Sequence, residues 1–139
     1  MSVMTTVRAA GLQDAPGAYR VCLMTGDSGR DATALHHNPD LLGHVYVGPY
    51  LAGAPDHALV VVDPLGVAGY CLATPDTRAF EQWAEQHWWP ALRDQYPNPG
   101  EPRADADLIR HIHAPGRAPA DVVTLFPAHL HIDLSLIHI

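Results

Sequence analysis

The chain has 139 residues, a formal net charge of -7, 47% hydrophobic and 17% charged residues, which provides for one packed domain and leaves no room for two. Its 8 basic residues are all arginine and are scattered, so there is no basic footprint for nucleic acid or an anionic membrane. The absence of lysine also excludes Schiff-base and lysine-nucleophile chemistry within these residues.

Met1 to Arg8 lacks the charged-then-apolar order of a signal peptide, and no apolar run approaches the ~20 residues of a membrane helix. Cys22 and Cys71 each lie inside an apolar run, which suits core packing in a reducing compartment rather than a disulfide framework. A cytoplasmic location is therefore expected. Thr5 to Ala10 reads as a first strand leading into Gly11. A helix follows, with Asp14 at the N-cap, Pro16 in the first turn and Gly26 near the C-terminal end. Ala18, Val21, Cys22 and Thr25 share one face of it. Asp27 to Asp56 reads as a long irregular segment, with one short helical turn after Asn38-Pro39-Asp40 that carries Leu41, Leu42 and Val45.

Ala58 to Val62, the turn Asp63-Pro64-Leu65-Gly66 and the run Val67 to Ala73 make a β-hairpin. Both strands are nearly continuous in apolar residues, the pattern of strands covered on both faces. Thr77 is placed to cap the next helix, where Phe80, Trp83, Ala84 and Trp88 recur at helical spacing and Glu81 suits the first turn. Pro90 opens a segment carrying Leu92 and Tyr96. Pro97 to Asp105 reads as a connector, Ala106 to Ile112 and Ala120 to Phe126 as short helical candidates, and Ala128 to Leu134 as a last strand. The order strand, helix, hairpin, helix, strand indicates one α/β domain with a mixed sheet.

The last strand carries the densest chemistry. Alternation puts His129, His131 and Asp133 on one face and Leu130, Ile132 and Leu134 on the other. Three such groups on one face suit acid/base work, could hold a divalent metal, or could simply be a solvated polar face. The other pairs, His36-His37 and His111-x-His113, lie in separate segments, and there is neither a His-Glu-x-x-His helix nor a Cys-x-x-Cys pair, so no metal is expected. Gly-x-Ser-x-Gly and the glycine-rich phosphate loops are also missing. Gly26-Asp-Ser-Gly29 reads as a turn. Tyr46 and Tyr50, in Gly43-His-Val-Tyr-Val-Gly-Pro-Tyr50, either line a substrate pocket or anchor the long loop.

Several stretches taken in order carry a resemblance: Thr25-Gly-Asp-Ser-Gly-Arg-Asp-Ala-Thr33, Asp40 to Tyr50, Gly66-Val-Ala-Gly-Tyr-Cys-Leu-Ala73, Asp76-Thr77, Trp88-Trp-Pro90 and Phe126 to Leu134. Together they resemble the GNAT acetyltransferase superfamily, and more narrowly bacterial relatives of the acetyltransferase-like domain attached to eukaryotic O-GlcNAc hydrolases. The resemblance implies the N-terminal part of a GNAT-like domain over residues 1–134, with acetyl-CoA as co-substrate and a small-molecule or peptide amine as acceptor. The last strand would be the splayed fourth strand, with the backbone of Ile132, Asp133 and Leu134 against the pantetheine arm. Asp133 would be the first choice of general base and His131 the second, Asp133 needing burial to be basic enough. The Asp27 to Asp56 segment would face the acceptor through Asp27, Tyr46 and Tyr50.

The pattern departs after this strand, where a GNAT chain opens a helix on a glycine-containing phosphate loop. Here Leu134 is followed by Ser135-Leu-Ile-His-Ile139. The expectation is that 135–139 is a non-native or truncated tail, and that the chain as given binds acetyl-CoA weakly and is inactive. The alternatives are a non-catalytic acetyltransferase-like interaction domain and, behind it, a histidine-rich metal protein.

Overall fold

The computed structural model describes residues 4–98 and 104–135. β1 (Thr6–Ala9) leads through Gly11 and a single 3-10 turn into α1 (Ala15–Thr25). Asp14 sits at the N-cap, as its position before Pro16 predicts, but its carboxylate is used elsewhere. It accepts from both Arg8 guanidinium nitrogens at 2.8 and 2.9 Å and from the Gly11 amide at 3.0 Å. The guanidinium beside it holds the Asp14 carboxyl below the usual carboxylate range. Ala18, Val21, Cys22 and Thr25 are buried, and the Thr25 hydroxyl donates back to the Val21 carbonyl at 2.8 Å.

The segment that reads as irregular is more helical than its composition suggests. After a tight turn at 27–30 it forms α2 (Leu41–Tyr46) and α3 (Gly48–Gly53). Three glycines and a proline depress local helix propensity here, but tertiary packing overrides propensity. Leu41, Leu42, Val45 and Leu51 are buried with α1, and a side chain at Gly43 would run into the Tyr19 ring.

β2 (Ala58–Asp63) and β3 (Gly66–Thr74) form the expected hairpin. Its turn is fixed by the Leu65 amide on the Asp63 carboxylate at 2.8 Å and by Gly66 at φ 118°, a backbone region that favours glycine. From Thr74 the chain leaves the sheet as α4 (Thr77–His87), α5 (Trp89–Gln95), α6 (Ala104–His113) and α7 (Ala120–Leu125). It returns as β4 (His129–Leu134). β4 pairs directly back onto β3, from Thr74↔His129 to Gly69↔Leu134. The strand order is β1-β2-β3-β4, and every pairing among the described residues is antiparallel, where a mixed sheet was expected. Hairpin and excursion connections make antiparallel neighbours, and no right-handed crossover occurs between these strands.

Two details differ from the sequence reading. α4 is capped by Asp76, which accepts from the Ala79 amide at 3.0 Å, and not by Thr77. Glu81 lies beyond the first turn, where its carboxylate takes the Ala118 amide at 2.9 Å and so ties α4 to the returning segment. The two faces of the sheet also differ. Val60, Tyr70 and Leu72 are buried in the helix-covered core, whereas Leu59, Leu130, Ile132 and Leu134 on the opposite face are exposed. The apolar runs of β2 and β3 therefore have helices on one face among the described residues, not on both. Residues 99–103 of the connector and 136–139 of the tail lie outside the described residues; the Ser135 amide still donates to the Ala68 carbonyl at 2.8 Å.

Candidate active site

The excursion between β3 and β4 folds back over α2 and α3 and encloses a cavity of about 660 Å³. α2 and α3 supply Tyr46 and Tyr50, α4 supplies Thr77, Phe80 and Glu81, and β4 supplies the floor through His129 and His131. A pocket of this size, apolar in most of its wall and with a few convergent polar groups, is the usual form of a small-molecule site.

The polar face of β4 points inward. His129, His131 and Asp133 are half-buried, while Leu130 and Ile132 are about 60% exposed, at 61% and 58%. A merely solvated polar face would have the opposite orientation, so that alternative is excluded. The two imidazoles meet different surroundings. His129 is held at both ring nitrogens, with Nε2 2.6 Å from the Tyr50 hydroxyl and Nδ1 2.7 Å from the Thr77 hydroxyl. His131 Nε2 is buried and has no hydrogen-bond partner, against the ring edges of Tyr50 and Tyr70 at centroid distances of 5.1 and 5.8 Å. A buried ring nitrogen left unpaired is uncommon in folded proteins.

Burial lowers the affinity of both imidazoles for a proton. For His129 the Glu81 charge opposes this; for His131 the Asp133 charge and the Tyr46 backbone oppose it, while His129 reinforces it. Both histidines therefore favour the neutral, proton-accepting form. Tyr50, stacked on Phe80 with centroids 4.4 Å apart, has its phenol pushed up to about 12 by burial and by Glu81.

The structure brings Tyr46, Tyr50 and His131 together on this cavity and places two other candidates apart from it. Asp133 does not line the cavity; its carboxylate accepts from the buried Tyr70 hydroxyl at 2.7 Å, beneath α1. Asp27 is exposed in the turn after α1, where its amide and carbonyl pair with Arg30 at 3.0 and 2.9 Å. The spacing of β4 reveals His129 as a member of the polar face, but in the sequence Thr77 reads as a helix cap within a resembling stretch and Phe80 as part of an amphipathic helix, and neither reading places them at the cavity. Other histidines have structural partners: His36 binds Asp105 at 2.8 Å, and His113 Nε2 lies 2.6 Å from the Tyr96 carbonyl. Among the described residues no group of three or more His, Cys, Asp or Glu side chains is placed to hold a metal ion. Nor is any helix among them long and apolar enough to cross a membrane.

For an acyl-CoA arm the relevant feature is β4 itself. Among the described residues it pairs only with β3, so its other edge, including the backbone of Ile132, Asp133 and Leu134, has no neighbouring strand. An extended amide-bearing arm can add to such an edge.

No protein-family model matches the chain. The solved structure of SsHAT superposes with a TM-score of 0.84 at 32% identity, over 94% of this chain and 66% of that one. Protein O-GlcNAcase from Rattus norvegicus and from Mus musculus is in each case 29% identical over 110 residues, which is 78% of this chain and 12% of the relative. The chain thus spans about one eighth of the length of these curated relatives. The chain is a homologue of the acetyltransferase-like C-terminal region of O-GlcNAcase and has the GNAT-like fold of SsHAT.

Proposed function

We propose that this domain belongs to an acetyl-CoA-dependent N-acetyltransferase acting on an amine held in the cavity between the excursion and α2–α3. The observation that carries the reading is His131, a neutral imidazole with a buried, unpaired Nε2 in the cavity wall. Acetyl-CoA supplies the activated acetyl thioester. His131 takes a proton from the acceptor ammonium, and the Asp133 charge stabilises the imidazolium that results. The free edge of β4 at Ile132, Asp133 and Leu134 is the strand against which the pantetheine arm would lie, and Tyr46 and Tyr50 hold the acceptor. The setting we propose is cytoplasmic.

Calorimetric titration of acetyl-CoA into this chain, alone and within any longer protein that carries it, tests the reading. Binding, followed by thiol release with an amine that falls at least 100-fold in His131→Gln, supports it. A folded protein that ignores acetyl-CoA in every form overturns it. A second reading, a non-catalytic acetyltransferase-like domain, is favoured by one observation: the carboxylate of Asp133 is occupied by Tyr70 and does not line the cavity.

A further inference from the structure

Acetylation of an ammonium releases two protons from nitrogen, and His131 accounts for one. The hydrogen bonds around His129 have a direction that can be deduced from donor counts. Thr77 Oγ1 lies 2.8 Å from the Pro127 carbonyl, which can only accept, so the single hydroxyl proton of Thr77 is committed there. Towards His129 the same oxygen must then accept, which requires the proton of the neutral imidazole to sit on Nδ1. Nε2 is left bare, and the Tyr50 hydroxyl, 2.6 Å away, donates to it. The chain of bonds runs Tyr50 O–H to His129 Nε2, His129 Nδ1–H to Thr77 Oγ1, Thr77 O–H to Pro127 C=O. All of it is oriented to draw a proton from the cavity into the imidazole.

We infer that Tyr50 and His129 form a proton relay at the reacting nitrogen, with Thr77 as the positioning residue that fixes the histidine tautomer; the inference rests on the acetyl-transfer reading. As the nitrogen bonds to the acetyl carbon, its second proton passes to the Tyr50 oxygen while the proton of Tyr50 moves to His129 Nε2. As the carbon–sulfur bond breaks, the same two hops in reverse return a proton to sulfur. The sum is ammonium plus thioester to amide plus thiol, with one proton left on His131. The groups that face His129 are Tyr50 from α3, Thr77 and Glu81 from α4, the Phe80 ring edge and His131 on its own strand.

Tyr50 fits the role of conduit because its phenol does not ionise near neutral pH and its ring is clamped by Phe80. Thr77 fits the positioning role because its amide also donates to Pro127 at 2.7 Å, so removing the hydroxyl leaves the neck of the excursion tied.

The test has two arms. In the first, two-dimensional NMR of 15N-labelled chain at pH 7.5 reads the tautomer of His129. Nδ1 is expected to bear the proton in the wild type and in Thr77→Ser, with a shift toward Nε2–H in Thr77→Val. A wild-type Nε2–H tautomer, or an unchanged tautomer in Thr77→Val, overturns the relay without touching the acetyl-transfer reading. In the second arm, turnover by the form that binds acetyl-CoA is expected to fall about 100-fold or more in kcat for Tyr50→Phe and His129→Gln, with acetyl-CoA affinity retained and activity kept in Thr77→Ser. Wild-type turnover that persists in Tyr50→Phe and His129→Gln sinks the relay alone, and absence of wild-type turnover sinks both.

Discussion

Tyr70 holds Asp133 across 63 positions of sequence, through a hydroxyl donated at 2.7 Å from a ring that is almost fully buried. Burial pushes its phenol far up, and the neighbouring Cys22 and Asp133 push it further, so it remains a donor at any accessible pH. Replacing it with phenylalanine keeps the ring and leaves a half-buried carboxylate without that donor. Tyr70→Phe should therefore lose about 1–3 kcal/mol of stability, read as a lower denaturant midpoint with an unchanged slope. This contact was not legible in advance. The alternation of β4 shows that Asp133 shares a face with His131, but the partner on β3 depends on a register set by the whole sheet. The same holds for Thr77, which reads as a helix cap and whose hydroxyl instead goes to Pro127.

At the level of elements, what the sequence predicts well is what local physics controls. The hairpin announces itself through β-branched runs around Asp63-Pro64-Leu65-Gly66, and α1 through Asp14, Pro16 and a buried stripe. α2 and α3 do not, because Gly43, Gly48, Pro49 and Gly53 lower propensity and the helices exist by packing on α1, α4 and one another. The start of α4 gives a direct check. Asp76 satisfies the Ala79 amide, so Asp76→Ala should cost about 1 kcal/mol, whereas a cap at Thr77 would leave that substitution near neutral. Chemical denaturation of Asp76→Ala separates the two, since Thr77→Val would lose the Pro127 and His129 bonds under either cap.

Across the whole molecule, His44, His111, His129 and His131 all have their proton affinity lowered from an ordinary value near 6.5, in each case chiefly by burial. The folded chain keeps them neutral, while the unfolded chain binds protons as the pH falls through that value. Their contribution to stability is therefore fully present above about pH 6.5 and is lost as the pH drops below it, before most carboxylates titrate. The thermal midpoint should be level from about pH 7 to 8 and decline between about 6.5 and 5.5; a level midpoint across that lower range would contradict the burial of these rings. The excursion between β3 and β4 is attached at a narrow neck. It leaves at Thr74 and returns at His129, which are paired opposite one another in the sheet, and its neck is tied by Thr77 on Pro127. The two ends are thus about 5 Å apart, whatever lies between them. Such an insertion can lengthen, shorten or be exchanged as a cassette while β3 and β4 keep their register. On the acetyl-transfer reading, new acceptors can arise by rewriting one wall of the cavity over an unchanged floor.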